Sequence, residues 1–119
     1  MYIYRVQDKN GRGPWRPGLS IKWVEDRPDH ENLKPYITEW PEFNVHTEIM
    51  PDEHCGCGCI TLEQLRRWFT ETEYSRLRIL GFRSVKINAD RILRSSEKQC
   101  VFARKRALRK GATEVSLYV

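Results

Sequence analysis

Long apolar runs are missing from this chain. Nowhere do apolar residues approach the roughly 20 in a row that a membrane-spanning helix needs. The opening Met1-Tyr2-Ile3-Tyr4-Arg5 lacks the basic head and long apolar middle of a signal peptide. No membrane partner is therefore expected, and the expected compartment is a reducing cytoplasm. Proline is absent after position 51, because all six prolines (14, 17, 28, 35, 41 and 51) precede it. Histidine is scarce, with three residues (30, 46 and 54). There is no Gly-x-Ser-x-Gly elbow, no His-Glu-x-x-His pair and no phosphate-binding glycine loop, which removes the hydrolase, metalloprotease and nucleotide-loop signatures. No repeat or heptad period is present. At 119 residues the chain is expected to form a single domain, residues 1–119. On size, a multidomain enzyme with its own Rossmann domain is not expected.

What is present is polar and aromatic. Charged residues make up 31% and hydrophobic residues 39%, yet four Trp, five Tyr and four Phe argue against disorder. The net charge of +5 is unevenly spread. Residues 1–60 hold seven Lys/Arg against ten Asp/Glu, and residues 61–119 hold fourteen against six. Such a split implies two differently charged surfaces, the basic one suited to a polyanion. A well-solvated surface is the plainer alternative.

Prolines and five of the seven glycines concentrate before residue 60, so the first half reads as a strand followed by a loop-rich excursion. Tyr2-Ile3-Tyr4-Arg5-Val6 favours a strand, ended by the turn residues Asp8-Lys9-Asn10-Gly11. Residues 21–24 predict a short second strand, and residues 29–34 one helical turn capped by Asp29. Residues 35–53 fit no single pattern. Thr61 with Gln64 and Thr70 with Glu73 are two capping boxes. They predict helices over 62–69 and 71–80, with Gly81 as the stop. Residues 85–89 alternate as a half-buried strand. Residues 90–93 read as a turn or short helix, residues 99–103 as a strand, and residues 115–119 as a final strand. Strands segregated from helices predict an α+β fold: one small antiparallel sheet, two short helices and a loop-rich N-terminal half.

Three of the four cysteines lie in His54-Cys55-Gly56-Cys57-Gly58-Cys59, with Cys100 apart. Zinc favours Cys-x₂-Cys, whereas Cys-x-Cys in an extended segment spaces its sulfurs about 7 Å apart on one side. The expected arrangement is a Gly-rich turn with inward-packed thiols and no zinc. Residues 104–110 hold five cations in seven positions: Arg104, Lys105, Arg106, Arg109 and Lys110. This cluster is the candidate for nucleic-acid contact, with a solvated loop as the alternative. Trp15, Trp23 and Trp40 are candidate anchors for a protein partner.

A distributed set remains. Arg5 sits in an otherwise apolar strand, where an unpaired charge is costly and a phosphate or carboxylate would be a bidentate partner. Thr61 opens a helix after a Gly-rich loop, and Glu97-Lys98-Gln99 opens a late strand. In this order of elements the chain resembles the ADP-ribosyltransferase family. The resemblance implies that Arg5 orients NAD, Thr61 supports the nicotinamide side, and Glu97 or Gln99 bonds a ribose hydroxyl. A carboxylate there would stabilise the oxocarbenium-like ribose electrostatically. The chain departs from the family in lacking Ser-Thr-Ser and in placing Gln99 where Glu is usual, so a binding-only member is the alternative. The chain also resembles small phage-encoded accessory proteins, anti-CRISPR proteins among them. That resemblance implies action in the host cytoplasm on a host protein or nucleoprotein complex.

Overall fold

The computed structural model describes residues 1–118 and contains two three-stranded antiparallel sheets with short helices around them. The first sheet has β1 (Tyr2–Gln7), β3 (Arg83–Asn88) and β6 (Thr113–Glu114), with β3 in the centre. The second has β2 (His54–Gly58), β4 (Arg91–Ser95) and β5 (Cys100–Arg104), with β5 in the centre. Tyr4 and Cys59 exchange two backbone hydrogen bonds of 2.8 Å and stitch the sheets together at one edge.

Alternation along β1 decides what each sheet face buries. Tyr4 and Val6 face the helices, packing with Leu65, Trp68, Phe69, Tyr74 and Leu77. Ile3 faces the second sheet, in a cluster with Ile87, Cys100 and Phe102. Strand β5 is buried along its whole length because both its faces are covered. The helices form as their capping boxes predict. α3 (Leu62–Trp68) starts at Thr61, whose hydroxyl accepts the Gln64 N–H, and α4 (Glu71–Ile79) starts at Thr70 in the same way with Glu73. Gly81, at φ +95°, ends α4 in a conformation that a side chain disfavours. Tyr74 ties α4 to the first sheet: its hydroxyl lies 2.9 Å from Ser84 Oγ and accepts the Ser84 N–H at 2.7 Å.

Several expectations are corrected. The α+β class holds, but there are two sheets instead of one. Residues 54–58 form β2 and not a turn, held by its register with β5 (Gly56 opposite Phe102). Residues 91–95 form β4, a bulged edge strand, in place of a turn or helix. The expected strand at 21–24 is a 3₁₀ turn, Ser20–Lys22. The turn near Asp29 spans Pro28–Glu31 and follows Arg27, with no side-chain cap. The last strand is shorter and earlier than expected, at Thr113–Glu114, and Val119 lies outside the described residues. Residues 35–53 supply two single-turn helices, α1 (Tyr36–Glu39) and α2 (Val45–Glu48). Arg94 bonds Glu48 at 2.9 and 3.0 Å, and Arg91 bonds Glu53 at 2.7 and 3.0 Å, fastening this segment to β4.

Candidate nucleic-acid interface

The basic run 104–110 begins inside the fold. Arg104 ends β5 and is only 3% exposed. Its Nε donates to the Arg106 carbonyl at 3.0 Å, Nη1 to Asn88 at 3.2 Å, and Nη2 to Ala107 at 3.0 Å and to Lys110. One guanidinium thus collects four backbone carbonyls and sets the path of the loop that follows. Asp90 adds a fifth tie by accepting the Lys105 N–H at 2.8 Å. Gly111, at φ +65°, lets the Arg106 side chain lie across it, since a Cβ there would sit 2.7 Å from Arg106 Nη1.

The consequence is a loop of ordered backbone with outward cations. Lys105, Arg106, Arg109 and Lys110 are exposed. Among the described residues their one ion pair is Lys105 with Asp52, at 3.9 Å between two well-exposed side chains, and such pairs contribute little. Arg104 therefore has a different place from the other four: it shapes the loop from beneath.

Two cations missed at the sequence level adjoin this loop. Gly11, at φ +81°, packs on residues 108–109, and a Cβ there would lie 2.9 Å from the Arg109 nitrogen. That close approach brings the turn carrying exposed Lys9 and Arg12 beside the basic loop. The signal was the Asn10-Gly11 turn itself, with a cation on either side. Its packing against the loop joins residues nearly a hundred positions apart.

Beside the loop lies a groove of about 620 Å³. Val45 and Ile49 of the α2 region, with Leu108, supply its apolar lining, and Asn10, Glu53, His54 and Arg109 are among its polar members. Cys55 also lines it, and burial pushes its thiol up to about 11, so it is neutral near pH 7. Glu53, the acid of the groove, is engaged by Arg91 and by the Met50 N–H at 2.8 Å.

The distributed set is divided by the second sheet. Arg5 reaches between the sheets, where a Cβ on Gly56 would stand 2.3 Å from its Nη1. The guanidinium carbon lies 5.9 Å from the Phe102 ring centre. Its Nε and Nη1 are buried without an acceptor, and burial lowers its pKa. Gln99 alternates out of phase with Cys100 and Phe102, and its amide donates at 2.8 Å to the Lys34 carbonyl and to Glu39. Arg5 and Gln99 thus occupy opposite faces. Thr61 and the exposed Glu97 are brought near one another by Gln64, which bonds the Thr61 backbone and the Glu97 carbonyl.

Cys55 and Cys57 are half-buried on β2, while Cys59 and Cys100 are buried. No group of three or more His, Cys, Asp or Glu side chains among the described residues is placed to hold a metal. Of the three candidate tryptophan anchors, Trp23 is fully buried and Trp40 half-buried. Trp15 keeps an exposed face while packing edge-on to Trp23 at 4.6 Å.

Comparison with protein families finds a match over residues 1–116 to the family described as Bacteriophage T4 Y00F protein. The chain belongs to that family. The expectation of a small phage-type protein is thereby supported. No curated protein and no solved structure matches, so the resemblance to ADP-ribosyltransferases and to anti-CRISPR proteins gains no support.

Proposed function

We propose that this member of the phage family is an accessory protein that binds nucleic acid, free or within a nucleoprotein complex, in the host cytoplasm. The observation that carries the reading is the pinned loop. Arg104 spends its donors on four carbonyls, and the ordered loop then presents Lys105, Arg106, Arg109 and Lys110 to solvent. Pre-ordering matters because a disordered basic tail loses conformational entropy when it binds, whereas a held loop has already lost most of it.

Fluorescence anisotropy with labelled DNA across a salt series tests this. Changing Lys105, Arg106, Arg109 and Lys110 to Ala should lower the logarithmic salt slope by about 0.7–0.9 for each phosphate that is no longer neutralised. An unchanged slope, or no binding at low salt, refutes it. A protein partner would instead show the same variant slowing association, as rim charges do.

NAD-dependent group transfer on a host macromolecule is a second reading, and a non-enzymatic inhibitor of the same fold is its alternative. One observation favours an anion at Arg5: two guanidinium nitrogens buried with no acceptor, a state that an oxyanion would relieve. Calorimetry with NAD tests it, and heat that persists unchanged in Arg5→Met removes Arg5 from the reading.

A further inference from the structure

The groove beside the basic loop has Val45, Ile49 and Leu108 as the apolar part of its lining, with exposed cations around it. We propose that it receives one unpaired base of a single-stranded nucleic acid whose phosphates lie along residues 105–110. The inference rests on the nucleic-acid reading above and narrows it to a strand with accessible bases.

The groove, about 620 Å³, is shallow and open to solvent, so it would cover one face of a base and leave the other free. Val45, Ile49 and Leu108 offer apolar surface to the face of a base. His54, exposed at the start of β2, and Arg109 are the planar groups of the groove. Imidazole and guanidinium planes both stack on bases. Asn10 has both a donor and an acceptor for a base edge.

Charge complementarity identifies the occupant. The carboxylate of Glu53 is already compensated by Arg91 at 2.7 and 3.0 Å. That leaves Arg109 as the uncompensated charge of the groove, with Lys9, Arg12 and Lys110 in the segments beside it. An apolar peptide would use Val45, Ile49 and Leu108 and leave the cations unanswered. A duplex would answer the cations, but its bases are stacked inside, and those apolar side chains would stay uncovered. A single strand satisfies both, because its phosphates and base faces are accessible together.

The test uses the full chain and three labelled DNA probes of about 16 nucleotides, within reach of a single-domain site. They are a single strand, its duplex, and the same strand with abasic positions. The single strand is expected to bind about tenfold more tightly than the duplex, and the abasic strand to lose that advantage. Ile49→Ala and His54→Ala should each weaken single-strand binding about fivefold or more, with the salt slope unchanged because the phosphates stay neutralised. His54 is exposed, so its variant keeps the test valid if Ile49→Ala lowers stability. Equal affinity for single strand and duplex with an intact salt slope overturns the groove inference and leaves the loop reading standing. Groove variants without effect do the same. Absence of binding to every probe overturns both.

Discussion

Glu73 is fully buried, and four donors converge on its carboxylate. Oε1 accepts from the Thr70 N–H and from Arg27 Nη2, both at 3.0 Å. Oε2 accepts from the Glu25 N–H at 2.9 Å and lies 2.9 Å from His30 Nε2. This side chain is also the reciprocal half of the α4 capping box, so it fastens the helix start to the excursion at residues 25–30. Replacing it with Gln keeps the shape and creates no cavity, but turns an N–H₂ toward at least one donor and removes the charge facing Arg27. Breaking a buried, hydrogen-bonded charge pair costs about 3–5 kcal/mol, and retaining one amide oxygen puts Glu73→Gln near the lower end. With an unfolding entropy of about 2.1 cal/mol/K per residue, roughly 0.25 kcal/mol/K for a chain of this length, 3 kcal/mol is a fall in Tm of about 12 °C. Thermal unfolding followed by circular dichroism measures it. The hydrogen bonds and Arg27 hold the Glu73 carboxyl below its ordinary range against the opposing effect of burial. The folded form therefore binds its proton less readily than the unfolded form. The resulting stability is present above the ordinary carboxyl pKa and is lost as pH falls through the folded value. Glu73→Gln should accordingly flatten the acid side of the stability curve. A Tm within about 3 °C of the parent, or an unaltered acid limb, would refute the reasoning.

Other outcomes follow from the same geometry. Arg104→Gln should reduce stability by only about 1–2 kcal/mol, because carbonyls freed in the surface loop regain water, yet it should weaken DNA binding without removing a surface cation; equal affinity in anisotropy counts against the pinned-loop reading. Arg5→Met should leave Tm unchanged or raise it, since it replaces a buried, unpartnered charge by an apolar side chain of similar length; a fall of several degrees in calorimetry would show that the charge is compensated. Gly56→Ala should cost about 1–3 kcal/mol through overpacking, because its Cβ would meet Arg5 Nη1 at 2.3 Å and Phe102 at 3.1 Å. The double variant with Arg5→Met, measured by urea unfolding, should recover part of that loss, and strict additivity would place the clash elsewhere.

The elements legible in the sequence are those written by residues close together in it. The hydroxyl and the Gln or Glu three residues on that start α3 and α4 are local, as is Gly81 at the end of α4, because a capping box closes within one turn of chain. The aromatic and β-branched residues of β1 and β5 likewise announce strands. The cation run at 104–110 is also legible, since charge needs no partner to be read. What tertiary structure alone decided depends on distant neighbours. His54–Gly58 has little strand propensity of its own. It is a strand because β5 offers a register, and because Phe102 and the Arg5 side chain fill the space left by its glycines. Arg104 and Arg109 look alike in sequence. One is buried beneath four carbonyls and the other is exposed, a difference set by where β5 ends and how the chain turns back over it. The ADP-ribosyltransferase resemblance groups Gln99 with Arg5, yet strand alternation turns Gln99 to the opposite face of the second sheet. The groove is the clearest case. Its walls come from residues near 10, 45–55 and 107–109, and only packing of the whole chain brings segments so far apart to one surface.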